Sequence, residues 1–478
     1  MNEVELNELP KNWEWTKLGD VVTKIIGGGT PSKNKPQYWG GDIPWLTVKD
    51  MRTRRPADAM DHISEKAVEE SSTNIIPADT VIIATRIGLG KVVRVPYKAA
   101  INQDLKALVV PPEVDKGYLE YWFVSKTHYL ESIGSGTTVK GIRLEQVRDL
   151  DFPLVPPEQQ KRIVAKIEEL FSHIDAGIEA LKKAKQLLKR YRQSVLKAAV
   201  TGELTKEWRD ANKAKLEPAS QLLERILKER RQKWEEQQLE QFKAKGKMPK
   251  DDKWKGKYKE PTLGEDRYFD EIPPEWAAAS VDHLTWDVRY GTSSKTNDDE
   301  KGVPVLRMGN IVDGKLDYSK LKFLPSEHDD FPELLLNDGD LLFNRTNSAE
   351  LVGKTAIYRD LGRKMSLASY LIRLRVLAGI ESDFLAFFIN SSCGRNWIKS
   401  CVSQNVGQAN VNGTKLKALV LPLPNHQEQK EIVSRVDEKL QSSDGLLEDL
   451  HVQILKAEKN KQSILAAAFV GELNSESN

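Results

Sequence analysis

One unit recurs in this 478-residue chain at a fixed distance. Its first copy opens with Pro153-Leu154-Val155-Pro156-Pro157-Glu158-Gln159-Gln160-Lys161-Arg162-Ile163-Val164 and closes with Arg192-Gln193-Ser194-Val195-Leu196-Lys197-Ala198-Ala199-Val200-Thr201-Gly202-Glu203-Leu204. Its second opens with Pro422-Leu423-Pro424-Asn425-His426-Gln427-Glu428-Gln429-Lys430-Glu431-Ile432-Val433 and closes with Lys461-Gln462-Ser463-Ile464-Leu465-Ala466-Ala467-Ala468-Phe469-Val470-Gly471-Glu472-Leu473. Both ends share one offset, 422 − 153 = 269 and 471 − 202 = 269, so the copies match in length without a gap. Proline ahead of each run disfavours helix at the preceding residue and fixes the start. Gly202 and Gly471 stand where a C′ glycine ends a helix. The pattern predicts two helices of about forty residues, each about 60 Å long.

An apolar stripe runs along both. In the first copy it is Ile167, Phe171, Ile174, Ile178, Leu181, Lys185, Leu188, Arg192, Val195 and Ala199. In the second it is Val436, Leu440, Ser443, Leu447, Leu450, Ile454, Ala457, Lys461, Ile464 and Ala468. Steps of four and three alternate, as a coiled-coil seam requires. A basic residue interrupts each stripe at the matching place, Arg192 and Lys461. A helix with one apolar edge must bury that edge, and the partner of matching length and register is its own copy. The helix-pairing residues are therefore expected to be Ile167, Phe171, Ile174, Ile178, Leu181, Leu188, Val195, Val436, Leu440, Leu447, Leu450, Ile454 and Ile464.

The repeat reaches beyond the helices. Leu9-Pro10-Lys11-Asn12-Trp13 is echoed by Ile272-Pro273-Pro274-Glu275-Trp276, and Ile43-Pro44-Trp45-Leu46 by Val303-Pro304-Val305-Leu306. Asp79-Thr80-Val81-Ile82-Ile83-Ala84-Thr85-Arg86 resembles Gly339-Asp340-Leu341-Leu342-Phe343-Asn344-Arg345. Short apolar runs at 81–84, 92–95, 105–110, 341–343 and 370–376 read as strands, and 116–127 and 383–390 as short helices. The length calls for more than one core. The organisation expected is a first globular domain over 1–156, a helix over 157–204, a charged central region with one helix over 205–270, a second globular domain over 271–425 and a second helix over 426–478. The central region carries a Lys-rich stretch, 243–259, which reads either as a segment touching a nucleic-acid backbone or as a solvated connector.

Composition narrows the function. A charged fraction of 30% and the lack of a long apolar run predict a soluble protein with no membrane span. The N-terminal residues carry no apolar signal core, and two cysteines exclude a disulfide framework, which fits the cytoplasm. Net charge is only +2, so any nucleic-acid signal must be local. No catalytic constellation emerges. Gly88-Leu89-Gly90-Lys91-Val92 lacks the hydroxyl that follows lysine in a phosphate loop, and Gly353-Lys354-Thr355 has Ser348 at its first motif position. Val155-Pro156-Pro157-Glu158 has prolines but not the flanking groups of an amino-methyltransferase turn. The seven histidines are scattered, with no metal-ligand spacing. The expectation is a non-enzymatic binding or assembly role, without a metal or cofactor of its own.

The doubled Pro-Leu-x-x-x-x-x-Gln-Lys-x-Ile-Val opening, the long helix and the Gln-Ser-x-Leu-x-x-Ala-x-x-Gly-Glu-Leu close resemble the specificity (S) subunit of type I restriction–modification enzymes. The stretch from Leu187 to Arg192 and on through Thr205-Lys206-Glu207-Trp208-Arg209 is similar to that family's central conserved region. Gly339-Asp340-Leu341-Leu342-Phe343-Asn344-Arg345-Thr346 is similar to a phrase of its target recognition domains. The resemblance implies an α+β chain: two similar α/β target recognition domains, separated by two long helices that pair as an antiparallel coiled coil, in an internal two-fold repeat. It implies a DNA-recognition subunit in which each domain reads half of a bipartite duplex target and the helices set the spacing. Implied partners are double-stranded DNA, two modification (M) subunits and two restriction (R) subunits, with S-adenosylmethionine, ATP and Mg on those partners. The competing reading is a coiled-coil structural adaptor without DNA specificity. By chemistry alone, the DNA-contacting candidates are loop residues: Thr30, Ser32, Lys33, Lys35, Lys49, Arg52, Arg54, Arg55 and Arg86 in the first half. In the second they are Thr292, Ser293, Lys295, Arg307, Asn310, Arg345 and Asn347. Arginine and lysine suit guanine or phosphate, and asparagine suits adenine.

Overall fold

The computed structural model describes residues 9–136, 139–264, 267–269, 271–348, 351–405 and 408–474; the side chains of Asn347, 403–405, 408 and 474 also lie outside what is described. The chain forms two compact units, residues 1–183 with 449–478, and residues 184–448. Both are assembled the same way.

In the first unit, strands β1 (Lys24–Gly27), β2 (Trp39–Leu46), β3 (Val81–Ala84), β4 (Val92–Arg94), β5 (Ala99–Ile101) and β6 (Leu105–Val109) build two sheets. One is antiparallel in the order β1-β6-β3-β4; the other centres on β2 and β5, which run parallel with Trp45 opposite Ala100. The second unit repeats this with β7 (Thr285–Tyr290), β8 (Val303–Leu306), β9 (Leu341–Asn344), β10 (Thr355–Ile357), β11 (Ser366–Leu367) and β12 (Leu371–Val376). Its antiparallel sheet has the order β7-β12-β9-β10, and β8 runs parallel to β11 with Val305 opposite Ser366. β3 and β9 are buried at every position, which explains their unbroken apolar runs. A helix follows each antiparallel sheet, Lys116–Ser125 in one unit and Ser382–Asn390 in the other.

The two long helices are Pro157–Val200 and His426–Phe469, 44 residues each. Proline is the first residue of one helix, while Asn425 caps the other, its Oδ1 accepting from the Glu428 N–H at 2.9 Å. Each helix contributes one portion to each unit, and in both units the portions run antiparallel. In the first unit Ile163, Ile167 and Phe171 share a core with Leu465, Ala468 and Phe469, and Asp175 bonds Lys461. In the second, Val195, Leu196 and Ala199 share a core with Ile432 and Val436, and Arg192 bonds Asp444. Arg192 and Lys461 are thus each answered by an aspartate on the facing helix. The 269 offset carries Arg192 onto Lys461 and Asp175 onto Asp444, so one ion pair is the repeat of the other.

The seam is well buried only where a domain covers it. Ile167, Phe171 and Ile178 are buried, while Ile174, Leu181, Leu450, Ile454 and Ile464 in the same unit are half-buried. In the other unit Val195 and Val436 are buried, and Leu188, Leu440 and Leu447 are half-buried. Two helices in contact shield one edge only, so the domains finish the burial.

Each domain grips the helices through three matched contacts. Trp13 Nε1 donates to Gln159 Oε1 at 2.9 Å, and Trp276 Nε1 donates to Glu428 Oε2 at 2.8 Å. Gly471 (φ +86°) leaves no room for a side chain against Pro10, where a Cβ would lie 2.3 Å away; Gly202 (φ +82°) does the same against Pro273 at 2.6 Å. The Pro-x-x-Trp phrase therefore touches the start of one helix and the close of the other. The third contact is a buried glutamine. Gln160 accepts from the Asp115 N–H at 2.7 Å and donates to the carbonyls of Val155 and Glu113 at 2.6 and 3.2 Å. Gln429 repeats this with the Glu381 N–H at 2.8 Å and the carbonyls of Pro424 and Gly379 at 3.0 and 3.3 Å. Both glutamines are wholly buried.

The central region departs from expectation. It holds two α-helices, Lys206–Asn212 and Ala219–Ala244, rather than one. The shorter is held by Arg209, buried and 2.7 Å from the equally buried Glu428. Thr205 Oγ1 donates to the same carboxylate at 2.7 Å.

Replacing Gln160 or Gln429 with leucine strands a buried N–H and two carbonyls. Each variant should lose about 3 kcal/mol, since an unsatisfied buried group costs about 1–3 kcal/mol. Denaturant unfolding of the full chain measures it; a midpoint equal to wild type would show that these glutamines do not anchor the helices.

Candidate nucleic-acid interface

In each unit three chain segments meet at one end of the antiparallel sheet: the exit of its first strand, the exit of the strand two places away, and the turn leading into the strand between them. The backbone fixes this meeting identically. The Gly29 N–H donates to the Ile101 carbonyl at 3.0 Å, and the Thr292 N–H to the Leu367 carbonyl at 2.9 Å. The Thr85 N–H donates to the Asp104 carbonyl at 2.8 Å, and the Arg345 N–H to the Tyr370 carbonyl at 3.0 Å. Gly28 and Gly291 make the close approach possible, because a Cβ would stand 2.0 Å from the Ile101 oxygen and 2.3 Å from the Leu367 oxygen.

The first unit presents Thr30, exposed, whose hydroxyl donates to Gln103 Oε1 at 2.5 Å. Beside them Arg86 lies 3.6 Å from Asp104 and is half exposed. Lys106 is part-buried; burial pushes its ammonium below the usual lysine range, and Arg86 adds to the fall while Asp104 opposes it. Lys49 and Arg52 sit on an exposed loop whose base is tied by Asp50, accepting from the Thr47 N–H at 2.7 Å and the Met60 N–H at 2.7 Å. That loop reaches the Arg86 turn, because a Cβ on Gly88 would meet Val48 at 2.9 Å. Ser32 and Lys33 are exposed nearby in sequence. Lys35 is engaged, bonding Tyr38 Oη at 2.6 Å and lying 3.6 Å from Glu70. The Tyr38 bond holds its ammonium above the ordinary range.

Arg54 and Arg55 leave the loop cluster. Both pair with the fully buried Glu120, as does Arg94 at 3.0 Å, and the Arg54 guanidinium stacks 4.6 Å above the Tyr121 ring. An uncompensated carboxylate inside the domain would be costly, so these arginines serve the core.

The second unit presents Arg345 over the Tyr290 ring at 4.7 Å, with Tyr290 Oη accepting from the Gly413 N–H at 2.7 Å. The Arg345 Nε is buried without a hydrogen-bond partner among the described residues. Tyr290 and Tyr370 are exposed beside it, and Ser293 and Lys295 lie on the neighbouring exposed loop. Two expected candidates are structural instead. Thr292 is buried, its hydroxyl accepting from the Ser294 N–H at 3.0 Å. Asn310 is buried, and its amide is consumed by the Arg307 N–H at 2.8 Å and the carbonyls of Asp317 and Lys320 at 2.8 and 3.3 Å. Arg307 is half-buried and reaches the Lys320 carbonyl at 3.3 Å. The side chain of Asn347 lies outside the described residues.

Arg86 and Arg345 are not equivalents, although their phrases look alike. The Ile142 N–H donates to the Thr85 carbonyl at 2.9 Å, and the Val411 N–H to the Arg345 carbonyl at 2.9 Å. Arg345 therefore stands where Thr85 stands, one residue earlier on the strand exit. In the Gly339–Thr346 phrase the first residues are scaffold: Gly339 turns with φ +82°, and Asp340 is buried against Arg375 at 2.8 Å. Loop chemistry built on lysine, arginine, asparagine, threonine and serine does not single out Gln103, Tyr290 or Tyr370, and Lys106 lies inside β6 rather than on a loop.

A family model for the type I restriction modification DNA specificity domain matches residues 10–188 and 288–455. The chain is similar to the type I restriction enzyme EcoKI specificity subunit of Escherichia coli (strain K12), 24% identical over 98% of this chain and 91% of that protein. It is also similar to the StySPI specificity subunit of Salmonella potsdam, 23% identical over 98% and 91%. A solved chain from a study of complex assembly and conformational transition in the type I R-M system shares the fold, with a TM-score of 0.66 at 17% identity, covering 97% of this chain and 99% of that one. The HsdS subunit from Thermoanaerobacter tengcongensis aligns with a TM-score of 0.50 at 18% identity, over 99% and 100%. The duplicated scaffold with its two loop-bearing ends belongs to the type I restriction–modification DNA specificity family. Within that family the chain is a specificity subunit.

Gly28→Ala and Gly291→Ala should each destabilise the fold by about 1–3 kcal/mol, because the methyl group collides with backbone that cannot swing away. Gly309→Ala, with nothing within 4 Å, is the control and should leave stability unchanged. Equal thermal midpoints for all three would contradict the close approach.

Proposed function

We propose that this chain reads DNA sequence for a type I restriction–modification complex, each recognition domain reading one half of a bipartite target. The observation that carries this is sameness of scaffold with difference of tip: matched backbone bonds hold Thr30, Gln103, Arg86 and Lys106 in one unit and Arg345, Tyr290 and Tyr370 in the other. Identical frames bearing different hydrogen-bonding and charged groups suit two readers of different bases. An adaptor without DNA specificity has no use for such ends. In this reading the chain is non-catalytic and works in the cytoplasm, and it binds no cofactor or metal. Two modification subunits dock on its helical regions, two restriction subunits complete the complex, and S-adenosylmethionine, ATP and Mg belong to those partners. Among the described residues no helix is long and apolar enough to cross a membrane.

Arg345 is the strongest base-reading candidate, since the Tyr290 ring orients its plane and its Nε has no partner among the described residues. Arg345→Ala should lower discrimination at one base pair of one half-target by about 10- to 100-fold, corresponding to about 1–3 kcal/mol. Chimeras that exchange first halves at Gly202 should recombine half-targets while keeping the spacing. Both are read from the methylated motif of cells expressing the chain with its partners. A motif altered in both halves by either change would refute one reader per domain.

A further inference from the structure

By sequence the Lys-rich stretch 243–259 suits either a DNA-touching segment or a solvated connector. The fold gives it a built form. Residues 245–251 turn the chain back, and a 3₁₀ helix at Asp252–Lys257 returns along the helix Ala219–Ala244. Asp251 caps that short helix, accepting from the Lys253 N–H at 3.1 Å. Aromatic rings lock the return. Trp254 is buried, stacked on Trp234 at 6.0 Å and edge-on to Phe242 at 6.0 Å, while Tyr258 meets Trp234 at 5.3 Å. Arg230 ties the far side, its Nη1 donating to Tyr258 Oη at 2.7 Å and to the Lys259 carbonyl at 3.3 Å.

This brace holds together charges that repel. Residues 243–259 contain eight lysines and two aspartates, a surplus of six positive charges in a chain whose total is +2. Lys253 and Lys255 pair with Asp251 at 3.5 Å and Asp252 at 3.3 Å. Lys243, Lys245, Lys247, Lys250, Lys257 and Lys259 make no ion pair among the described residues. A charged connector left to itself extends and needs no aromatic core. Here three tryptophan and tyrosine rings and a phenylalanine keep uncompensated ammonium groups in one place, which is the arrangement a phosphate backbone complements.

The geometry points to residues 243–259 as an arm that grips the phosphates of duplex DNA without reading bases, adding affinity to the selectivity of the recognition loops. The inference rests on the DNA-reading function proposed above. The test uses the full chain, alone and assembled with its modification subunit, and a duplex of random sequence as probe. The variant replaces Lys245, Lys247, Lys250 and Lys257 with glutamine. The slope of log affinity against log salt should become shallower by about three to four, since each lost phosphate contact removes about 0.9. A fourfold rise in salt should then cost wild type about a hundredfold more affinity than the variant. Trp254→Ala, which removes no charge, should also flatten the slope by loosening the arm. Affinity should fall equally for every sequence, leaving discrimination between target and random duplex unchanged. A variant with the wild-type slope that loses its modification subunit would make the arm a protein-docking surface and overturn the inference. One that keeps both slope and partner would make it a connector and overturn it as well. A wild-type chain that holds no duplex would overturn the functional reading itself.

Discussion

Both units depend on a grip by the Pro-x-x-Trp phrase and a buried glutamine on the ends of two long helices. A helix of 44 residues with one apolar edge draws most of its stability from packing that edge. It needs a partner along its edge and a fixed orientation about its axis. The facing copy supplies the first. Trp13 with Gln159, Pro10 against Gly471 and the Gln160 amide supply the second in one unit, and Trp276, Pro273 and Gln429 do so in the other. Since each glutamine satisfies backbone groups on both the helix opening and the domain, a domain cannot rotate about its helix without exposing unpaired buried groups.

The repeat is also broken at an informative place. Gln159 is neutral and receives one indole bond, whereas its counterpart Glu428 is a buried carboxylate meeting Trp276, Thr205 and Arg209. A buried carboxylate is tolerable only when paired and hydrogen-bonded. Arg209 and Thr205 belong to the central region, which therefore does more than join two halves: it closes the second unit from beneath.

Much of this was legible in the sequence. The register of the repeat gave the helix bounds, the seam and the exit glycines, because these are local patterns with a fixed period. The strand runs at 81–84 and 341–343 were legible for the same reason. What could not be seen depended on distant partners. Arg54 and Arg55 look like surface arginines until Glu120, a helix residue far along the chain, is placed beneath them. Thr292 and Asn310 look like readers until their hydroxyl and amide are found inside turns. Arg86 and Arg345 match by eye yet differ by one residue in register, which only the backbone bonds of Ile142 and Val411 reveal. The Lys-rich stretch looked like a linker because the tryptophan partner of Trp254 lies on a separate helix.

The division of the chain has a consequence during synthesis. The first unit needs residues 449–478, and Phe469 packs at 5.1 Å from Tyr118 inside its core. Residues 184–448 must be made between its two parts. At about 5–20 residues per second the apolar edge of 157–183 stays uncovered for tens of seconds on the ribosome. The second unit is one continuous stretch and can close as soon as it emerges. The domain made first is therefore finished last, and a nascent chain stalled before residue 449 carries a bare seam open to chaperones or to another chain's helix.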